Sequence, residues 1–599
     1  MQTVGTLIRE IFPLGSPQIR EDLRAGSETL HFVTPLSDVV RWRLSEKHAG
    51  PAEVDLADNE RDRVVDAYTA RWKNPNALEI LAQVSQLKGI GPWLAMPHDP
   101  IDLFAVVGRL LERSGAYHHV EACTEAVAGQ PGFDSNRIIA VSSDQREDWS
   151  VIGQAWREAV KANISVAPAH PDGLLEEIWV RLLRSWTSPI FTPLSYDDEP
   201  PVWWVDALSL LVIADEAAYG AGQRVSTDNR QMKSWVAKMV DSRIQNATIE
   251  MQDKQSIPEQ DGLRIYTLSK ANPDSVCVLP KSRTTQVGCT IRNLSHNLAL
   301  LPPQGVARAQ WFYGQKPNPE TAGKPLNLLL VPFPYTVDAT DFKALGDSRN
   351  QCEKRFGWFG IEPKPTPVLQ GEDYAAARER GYRGFLAFVD GLIRAMTMDL
   401  GGVDIIVFPE MALSHGLHEA LLDHIETNHG DVEAVVAGLT SYSFLIDNGI
   451  GDVLEPEKKT RTGNFAAITV FNDSTGSKKP KRAQGRRRIT SYHEKHHRWK
   501  LDRGQIARYG LGAVLDPSTE WWERQQILSR RLNVIAFRER STAAVLICED
   551  LARTDPAQEV LRAIGPKLIF ALLLDGPQLM TRWPARYATV LADDPGSSV

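Results

Sequence analysis

Three kinds of reactive side chain follow apolar segments in the second half of this 599-residue sequence: a carboxylate, an ammonium and a thiol. Glu410 ends the segment VDIIVFPE, Lys495 lies in the polar stretch SYHEKHHRWK, and Cys548 follows the run AAVLI. A thiol becomes a strong nucleophile when a carboxylate takes its proton, and an ammonium stabilises the oxyanion that the attack creates. These three groups together are suited to hydrolysis.

The segments before Glu410 and Cys548 have the composition of buried strands. Apolar runs at 326–331, 403–408 and 543–547 predict strands, and residues 374–398 predict a long helix after the first of them. This β–α–β order indicates an α/β domain with buried, neighbouring strands. Because groups at strand ends converge at one edge of a sheet in such folds, we expect Glu410 and Cys548 to lie close together.

These segments resemble the nitrilase superfamily of carbon–nitrogen hydrolases. Its members share a strand ending in an FPE-like element, a lysine after the next strands, and a strand ending in the nucleophilic cysteine. Phe408-Pro409-Glu410 matches the first element, and Cys548-Glu549-Asp550 matches the last. The Cys-Glu-Asp form is more similar to the amidase and glutaminase branches than to the simple nitrilases. The resemblance covers roughly residues 326–599 and none of the N-terminal half.

The resemblance implies a role for each residue. Cys548 would attack an amide or nitrile carbon, Glu410 would act as general base, and Lys495 with the backbone N–H after Cys548 would stabilise the oxyanion. Lys495 is preferred to Lys500 because the family pattern places the lysine shortly before a His-containing stretch. Glu549 is a further candidate for contacts with the substrate or the oxyanion.

The resemblance also implies the ligands and assembly of the protein. It predicts a C-terminal αββα sandwich that hydrolyses a small molecule, an amide rather than a nitrile, without a metal or an organic cofactor. It also predicts a homo-oligomer that forms through the nitrilase-like domain.

Two features depart from the family pattern. Many members carry a second glutamate soon after the lysine, but residues 501–510 contain none, so that role is absent, has moved, or belongs to Asp502 or Gln505. Only residues 549–599 follow Cys548, so the domain is either truncated at its C-terminus or closed in another way.

The Pro- and Gly-rich segment 314–324 predicts the boundary between two domains. Residues 1–313, the N-terminal region, read as a mainly helical α+β region of unknown function, with two subdomains as an alternative. Helices are predicted at 59–72, 76–87, 149–162, 173–186 and 202–218, and strands and turns in 273–303. Residues 325–599 form the C-terminal domain, and the fold class of the whole chain is α/β.

The composition argues against several kinds of partner. A formal net charge of −8 argues against a general binder of nucleic acid or membrane surfaces, and no apolar stretch is long enough for a membrane helix. The five cysteines are scattered and never form a CxxC pair, which predicts reduced thiols and a cytoplasmic location.

Some weaker signals allow other readings. The run Lys478–Arg488 holds seven basic residues in eleven, and the segment 87–95 resembles a DNA-binding hairpin, so nucleic-acid binding is an alternative. We interpret the first as an exposed loop and the second as a plain helix–turn. His493, His496 and His497 are interpreted as polar loop residues rather than metal ligands.

A different class of function is a nitrilase-like domain that has lost catalysis and serves as a scaffold or sensor in a bacterial defence or signalling assembly. The missing second glutamate favours it, and the retention of Glu410, Lys495 and Cys548 opposes it. An activated Cys548 predicts faster alkylation than at the four other thiols.

Overall fold

The computed structural model describes residues 2–13, 15–16, 58–122, 139–162, 173–194, 198–221, 264–265, 267–284, 290–303, 308–313, 324–349, 355–362, 374–446, 457–472, 487–527, 530–538, 541–575 and 583–599. The predicted linker lies outside these ranges except for Lys324, as does the basic run except for Arg487 and Arg488. No helix in these ranges is long and apolar enough to cross a membrane.

The N-terminal region is mainly helical over its described ranges, as its sequence predicts. Its helices are α1 (Val4–Ile11), α2 (Asp58–Arg71), α3 (Pro75–Ser85), α4 (Pro100–Ser114), α5 (Ser143–Ala162), α6 (Leu174–Leu183) and α7 (Trp203–Ala217). Helix α5 begins earlier than predicted because Ser142 and Gln145 cap it reciprocally, each side chain accepting the backbone N–H of the other.

Helix α4 illustrates how the sequence sets helix ends and burial. Asp99 accepts the N–H of Ile101, Pro100 occupies the first turn, and Gly115 ends the helix in the left-handed conformation with φ of 75°. Most residues of α4 are buried in one apolar core with the neighbouring helices. The hairpin-like segment 87–95 packs into this core through Ile90, Trp93 and Leu94.

The strands of the N-terminal region are short. They are β1 (Val120–Ala122), β2 (Ile139–Val141), β3 (Arg264–Ile265), β4 (Cys277–Pro280), β5 (Leu298–Leu301) and β6 (Arg308–Tyr313). Strands β1 and β2 pair in parallel, and β4 and β5 form an antiparallel pair. The strands predicted in 273–303 are therefore confirmed, whereas β3 and β6 were not predicted.

The C-terminal domain contains helices and mixed sheets, which confirms the general α/β class. Its helices are α8 (Tyr374–Leu400), α9 (His415–Asn428), α10 (Arg503–Arg508), α11 (Glu559–Ile564) and α12 (Trp583–Asp593). Its strands are β7 (Leu328–Leu330), β8 (Phe342–Arg349), β9 (Arg355–Ile361), β10 (Ile405–Val407), β11 (Ala434–Ile446), β12 (Glu457–Asn472), β13 (Arg487–Glu494), β14 (Lys500–Leu501), β15 (Thr519–Glu523), β16 (Arg531–Phe537), β17 (Ser541–Ile547) and β18 (Leu568–Leu572).

Two five-stranded sheets carry the strand ends that the sequence singles out. The first sheet has the order β13-β12-β11-β10-β7, with β10 parallel to both of its neighbours. The second sheet has the order β18-β17-β16-β6-β3, so two of its strands come from before the predicted domain boundary. After β18, Ser598 forms a β-bridge with Leu568.

These two sheets face each other. One apolar cluster joins their inner faces, with Val407, Val436 and Ile468 from the first sheet and Val545 and Ile547 from the second. Helices α8 and α9 cover the outer face of the first sheet. The outer face of the second sheet packs on α11, α12 and the core of the N-terminal region. The layers are therefore helix, sheet, sheet and helix.

A third sheet, of order β14-β15-β9-β8, lies beside these layers. Its apolar face is formed by residues such as Phe359, Leu501 and Trp521, which cluster with Met411 next to Glu410. The third sheet therefore packs against the loop that follows β10.

Candidate active site

Glu410, Lys495 and Cys548 meet at the ends of three strands. Glu410 lies three residues beyond β10, Lys495 directly follows β13, and Cys548 directly follows β17. The Nζ atom of Lys495 lies 2.9 Å from Oε1 of Glu410. The charges of both Glu410 and Lys495 act on the Cys548 thiol, the first raising and the second lowering its pKa. The structure thus brings together the three residues that the sequence selects, as groups at strand ends are expected to converge.

The backbone turns sharply at the nucleophile candidate. Cys548 has a φ of 46°, in the left-handed region, and begins a short 3₁₀ turn (Cys548–Leu551) directly after β17. Met411, next to Glu410, has a φ of 53°. A left-handed backbone conformation raises the free energy of a non-glycine residue by roughly 1–3 kcal/mol, and such residues are often found at functional sites. The surrounding packing must therefore hold both side chains in their orientations.

Gly438 on β11 allows the loop of Glu410 to approach the sheet. A Cβ atom at position 438 would lie 2.3 Å from the oxygen of Pro409 and 2.6 Å from the Cα of Glu410. The N–H of Gly438 donates to the same oxygen at 3.2 Å. Only glycine fits this contact without moving the backbone of Glu410.

A second glutamate, Glu523, completes the site from the third sheet. Its Oε2 lies 3.0 Å from Nζ of Lys495 and accepts the backbone N–H of Trp499 at 2.9 Å. Glu523 is the last residue of β15 and is 3% exposed, compared with 3% for Glu410 and 1% for Lys495. A glutamate therefore contacts Lys495 from 28 positions later in the chain, beyond the residues 501–510 that contain none.

The two residues considered for that role act elsewhere. Asp502 caps α10 by accepting the N–H of Gln505, and the Gln505 side chain accepts the N–H of Asp502 in return. This reciprocal cap uses one oxygen of each side chain, and neither side chain contacts Lys495 in the described residues. The hypothesis that Asp502 or Gln505 replaces the second glutamate is therefore wrong.

A buried amide fixes the two carboxylates relative to each other. The Nδ2 atom of Asn464 donates to Oε1 of Glu410 and to Oε1 of Glu523, each at 2.7 Å. The remaining oxygen of Glu410 accepts the N–H of Leu574 at 2.7 Å. Gln525 in turn donates to the backbone oxygens of Asn464 and Lys495. These bonds hold the charged groups in place before any substrate binds.

The charges of the site favour a neutral thiol and an ionised lysine at rest. Burial, followed by the charge of Glu410, raises the pKa of Cys548 well above its ordinary value, against the opposing effect of Lys495. Burial lowers the pKa of Lys495, but the charges of Glu410 and Glu523 outweigh burial and raise this pKa well above its ordinary value. A protonated thiol reacts slowly with alkylating reagents, so we now expect slow alkylation of the resting Cys548 at neutral pH.

Lys500 and Glu549 lie in ion pairs outside this network. Lys500 Nζ is 3.1 Å from Oε2 of Glu520, and both side chains are more than a third exposed. The Glu549 carboxylate forms an ion pair with Arg553. Lys495 is therefore the lysine of the site. The contact of Glu549 with substrate stays a prediction.

Asp550 links the Cys548 turn to the segment after Lys495. Its carboxylate accepts the N–H of His496 at 2.9 Å and lies 3.0 Å from Nδ1 of His497. His496 and His497 lie in the segment between β13 and β14, as interpreted, whereas His493 lies on β13, so the loop interpretation is wrong for His493; His493 and His496 are almost fully buried. His493 lies on β13, and burial, followed by the charge of His496, lowers its pKa to about 3. These histidines are therefore structural neighbours of the site.

We expect Glu523→Gln to weaken catalysis without removing the nucleophile or the base. The amide would place an N–H₂ group beside the Asn464 donor or the Lys495 ammonium, so the lysine would lose a charged partner. The predicted result is a roughly 10- to 100-fold lower kcat for amide hydrolysis, within the range for removing one supporting hydrogen bond in an active site. The matched control is Glu520→Gln on the same strand, which should leave kcat unchanged; equal effects of the two substitutions would contradict this role.

A scan against models of protein families finds none that matches this chain, and a search among curated proteins also finds no match. The function of the site is therefore inferred from its own geometry and chemistry.

Proposed function

We propose that this protein is a cysteine-dependent hydrolase of a non-peptide carbon–nitrogen bond, an amide rather than a nitrile, with a nitrilase-like αββα domain. The observation that carries the proposal is the buried Glu410–Lys495 ion pair, whose two charges both act on the Cys548 thiol at the end of β17. The layered arrangement of the two sheets and their helices supports it as well. Such a site suits acyl transfer, because the cysteine can supply the nucleophile and the lysine, held between two carboxylates, can supply a positive charge.

In the acylation half, Glu410 removes the proton of Cys548 as the sulfur attacks the amide carbon. The C–S bond forms while the carbonyl π electrons move to oxygen, giving a tetrahedral oxyanion. Glu410 then passes its proton to the departing nitrogen, the C–N bond breaks, and ammonia or an amine leaves. The raised pKa of Cys548 fits this order, because the proton leaves only during the attack.

In the deacylation half, the thioester is hydrolysed. Glu410, ionised again, takes a proton from a water molecule as the water oxygen attacks the thioester carbon. The second tetrahedral oxyanion collapses, the C–S bond breaks, and the proton returns from Glu410 to the sulfur. The product is a carboxylic acid, and the site is restored.

Lys495 has the geometry to stabilise both oxyanions. Its ammonium carries three N–H donors. Glu410 and Glu523 accept two of them, and no acceptor for the third is present in the described parts of the chain. We assign this third donor to the substrate oxygen. Two carboxylates also keep the lysine protonated, as this role requires.

Ammonia release from a panel of amides, carbamoyl compounds and nitriles tests the proposal. Wild-type protein should release ammonia from at least one amide, and Cys548→Ala should reduce the rate to background, a loss of up to roughly 10⁶-fold as for other nucleophile deletions. The control is Cys277→Ala, because Cys277 is a buried thiol on β4. Release that persists in Cys548→Ala would exclude Cys548 as the nucleophile, and silence of the wild type across the whole panel would favour the inactive scaffold.

Three further expectations accompany this proposal. They are a small-molecule substrate, pairing of copies through the nitrilase-like domain, and a cytoplasmic location, and each stays a prediction from the sequence.

A further inference from the structure

Two histidines and one aspartate converge on the outer helices of the C-terminal domain. Asp390 lies on α8, His424 lies on α9, and His429 follows the end of α9. The Nε2 atoms of His424 and His429 lie 2.8 and 2.6 Å from the same oxygen, Oδ1 of Asp390. Within the described ranges this is the one group of its kind whose ligand atoms all lie within 4.8 Å of one another.

The donor set has a chemical preference. Two imidazole nitrogens and one carboxylate oxygen suit borderline divalent ions such as Zn²⁺, Co²⁺ and Ni²⁺, whereas Mg²⁺ and Ca²⁺ prefer oxygen ligands alone. Three protein ligands leave a fourth position of a tetrahedral site open to water. The cluster therefore offers a site for a transition-metal ion rather than for an alkaline-earth ion.

The distances fit a site that opens slightly when the ion enters. Ligand atoms of a tetrahedral site lie about 3.4 Å apart when each metal bond is about 2.1 Å. The observed separations of 2.8 and 2.6 Å would therefore widen by about 0.6–0.8 Å. The three side chains are 17–29% exposed, so they can rotate by this amount and an ion can reach them.

Further contacts prepare the ligands. The Nδ2 atom of Asn428 lies 3.2 Å from Nδ1 of His424 and donates to the backbone oxygen of the same residue, so it holds this ring beside Asp390. The nitrogens of both rings therefore converge on one oxygen of Asp390.

We propose that Asp390, His424 and His429 bind one divalent transition-metal ion of the Zn²⁺ class, which joins α8 to the C-terminal end of α9. These two helices cover the outer face of the first sheet, whose strand β10 leads into the loop of Glu410. The ion acts as a structural link between the helices. Because the site is separate from the hydrolytic residues, this proposal stands whether or not the protein hydrolyses amides.

Metal binding to the full chain tests the proposal. All proteins carry Cys548→Ala, so that the catalytic thiol cannot bind the ion, and are first treated with a chelator. Calorimetric titration with Zn²⁺ should give one site per chain, and Co²⁺ should give the visible absorption of a tetrahedral complex. Thermal unfolding should shift to higher temperature with Zn²⁺, because the ion binds the folded state.

Two variants and one control separate metal binding from simple hydrogen bonding. Asp390→Asn keeps an oxygen that accepts from both imidazoles but loses the anionic ligand, and His424→Ala with His429→Ala removes both nitrogens. Each should weaken Zn²⁺ binding by at least about 100-fold and abolish the thermal shift. Asp399→Asn changes an exposed carboxylate on the same helix and should bind like the parent. Absence of a stoichiometric site in the parent, or equal binding in all variants, would overturn the proposal.

Discussion

Replacing Lys495 with Met is expected to abolish amide hydrolysis and to lower the free energy of unfolding by about 3–5 kcal/mol. Lys495 is the cation between two buried carboxylates, with Nζ at 2.9 and 3.0 Å from Glu410 and Glu523. Without it, two negative charges face each other in a site from which water is largely excluded. The oxyanion would also lose its ammonium, and one lost donor alone costs about 10²–10³ in kcat. Chemical denaturation and initial rates measure the two effects.

Two further variants make this prediction specific. Lys500→Met removes a half-exposed lysine five positions later and should change the free energy of unfolding by no more than about 1 kcal/mol, as is usual for exposed ion pairs. Adding Glu523→Gln to Lys495→Met removes one of the stranded charges, so it should restore part of the stability but none of the activity. If Lys495→Met is as stable as the wild type, the lysine does not neutralise these carboxylates.

Replacing Glu410 with Gln is expected to change hydrolysis and thiol reactivity in opposite directions. Hydrolysis should fall by roughly 10²–10⁴-fold, because the amide cannot act as a general base. Alkylation should become faster at a fixed pH near neutrality. Burial and the Glu410 charge raise the pKa of Cys548, so removing that charge lowers the pKa and increases the fraction of thiolate.

The rate of iodoacetamide labelling as a function of pH measures this second effect. Its midpoint should move to lower pH in Glu410→Gln and stay unchanged in Glu520→Gln, which carries the same substitution in an ion pair outside the site. Local unfolding at Cys548 would also lower the midpoint, because burial is the largest cause of its raised pKa, so the free energy of unfolding of the variant is measured as a control and should match that of the wild type. A midpoint that moves upward would mean that Glu410 does not face the thiol as a negative charge.

The sequence predicts those residues of the site whose positions follow from the strand segment directly before them. Glu410, Lys495 and Cys548 each stand at or just beyond the end of a strand, and strand ends converge. Glu523 was missed because its contact with Lys495 depends on how the third sheet packs on the first two, which no spacing near the lysine indicates. No strand was predicted at TEWWE, and its sequence does not indicate which end of β15 reaches the site.

In the fold, too, single elements were predicted and contacts between distant elements were not. The long helix before β10 and the strands that end near Glu410 and Cys548 are confirmed, because each has a strong apolar pattern of its own. The recruitment of β6 into the second sheet was not predicted, since a short strand gives no sign of its partner. The pairing of Asp390 with His424 and His429 was missed for a similar reason: 34 and 39 positions separate the aspartate from the histidines.

The most direct test of the central claim is to look for the acyl-enzyme. Wild-type protein and Cys548→Ala are mixed with a substrate amide, quenched in acid, and examined by intact-mass and peptide-mapping mass spectrometry. The predicted result is a mass increase equal to the acyl group on the peptide that contains Cys548, absent from the variant and reversed by hydroxylamine, which cleaves thioesters. An acyl group on any other residue, or turnover in the wild type that continues in Cys548→Ala, would contradict the assignment of Cys548 as the nucleophile.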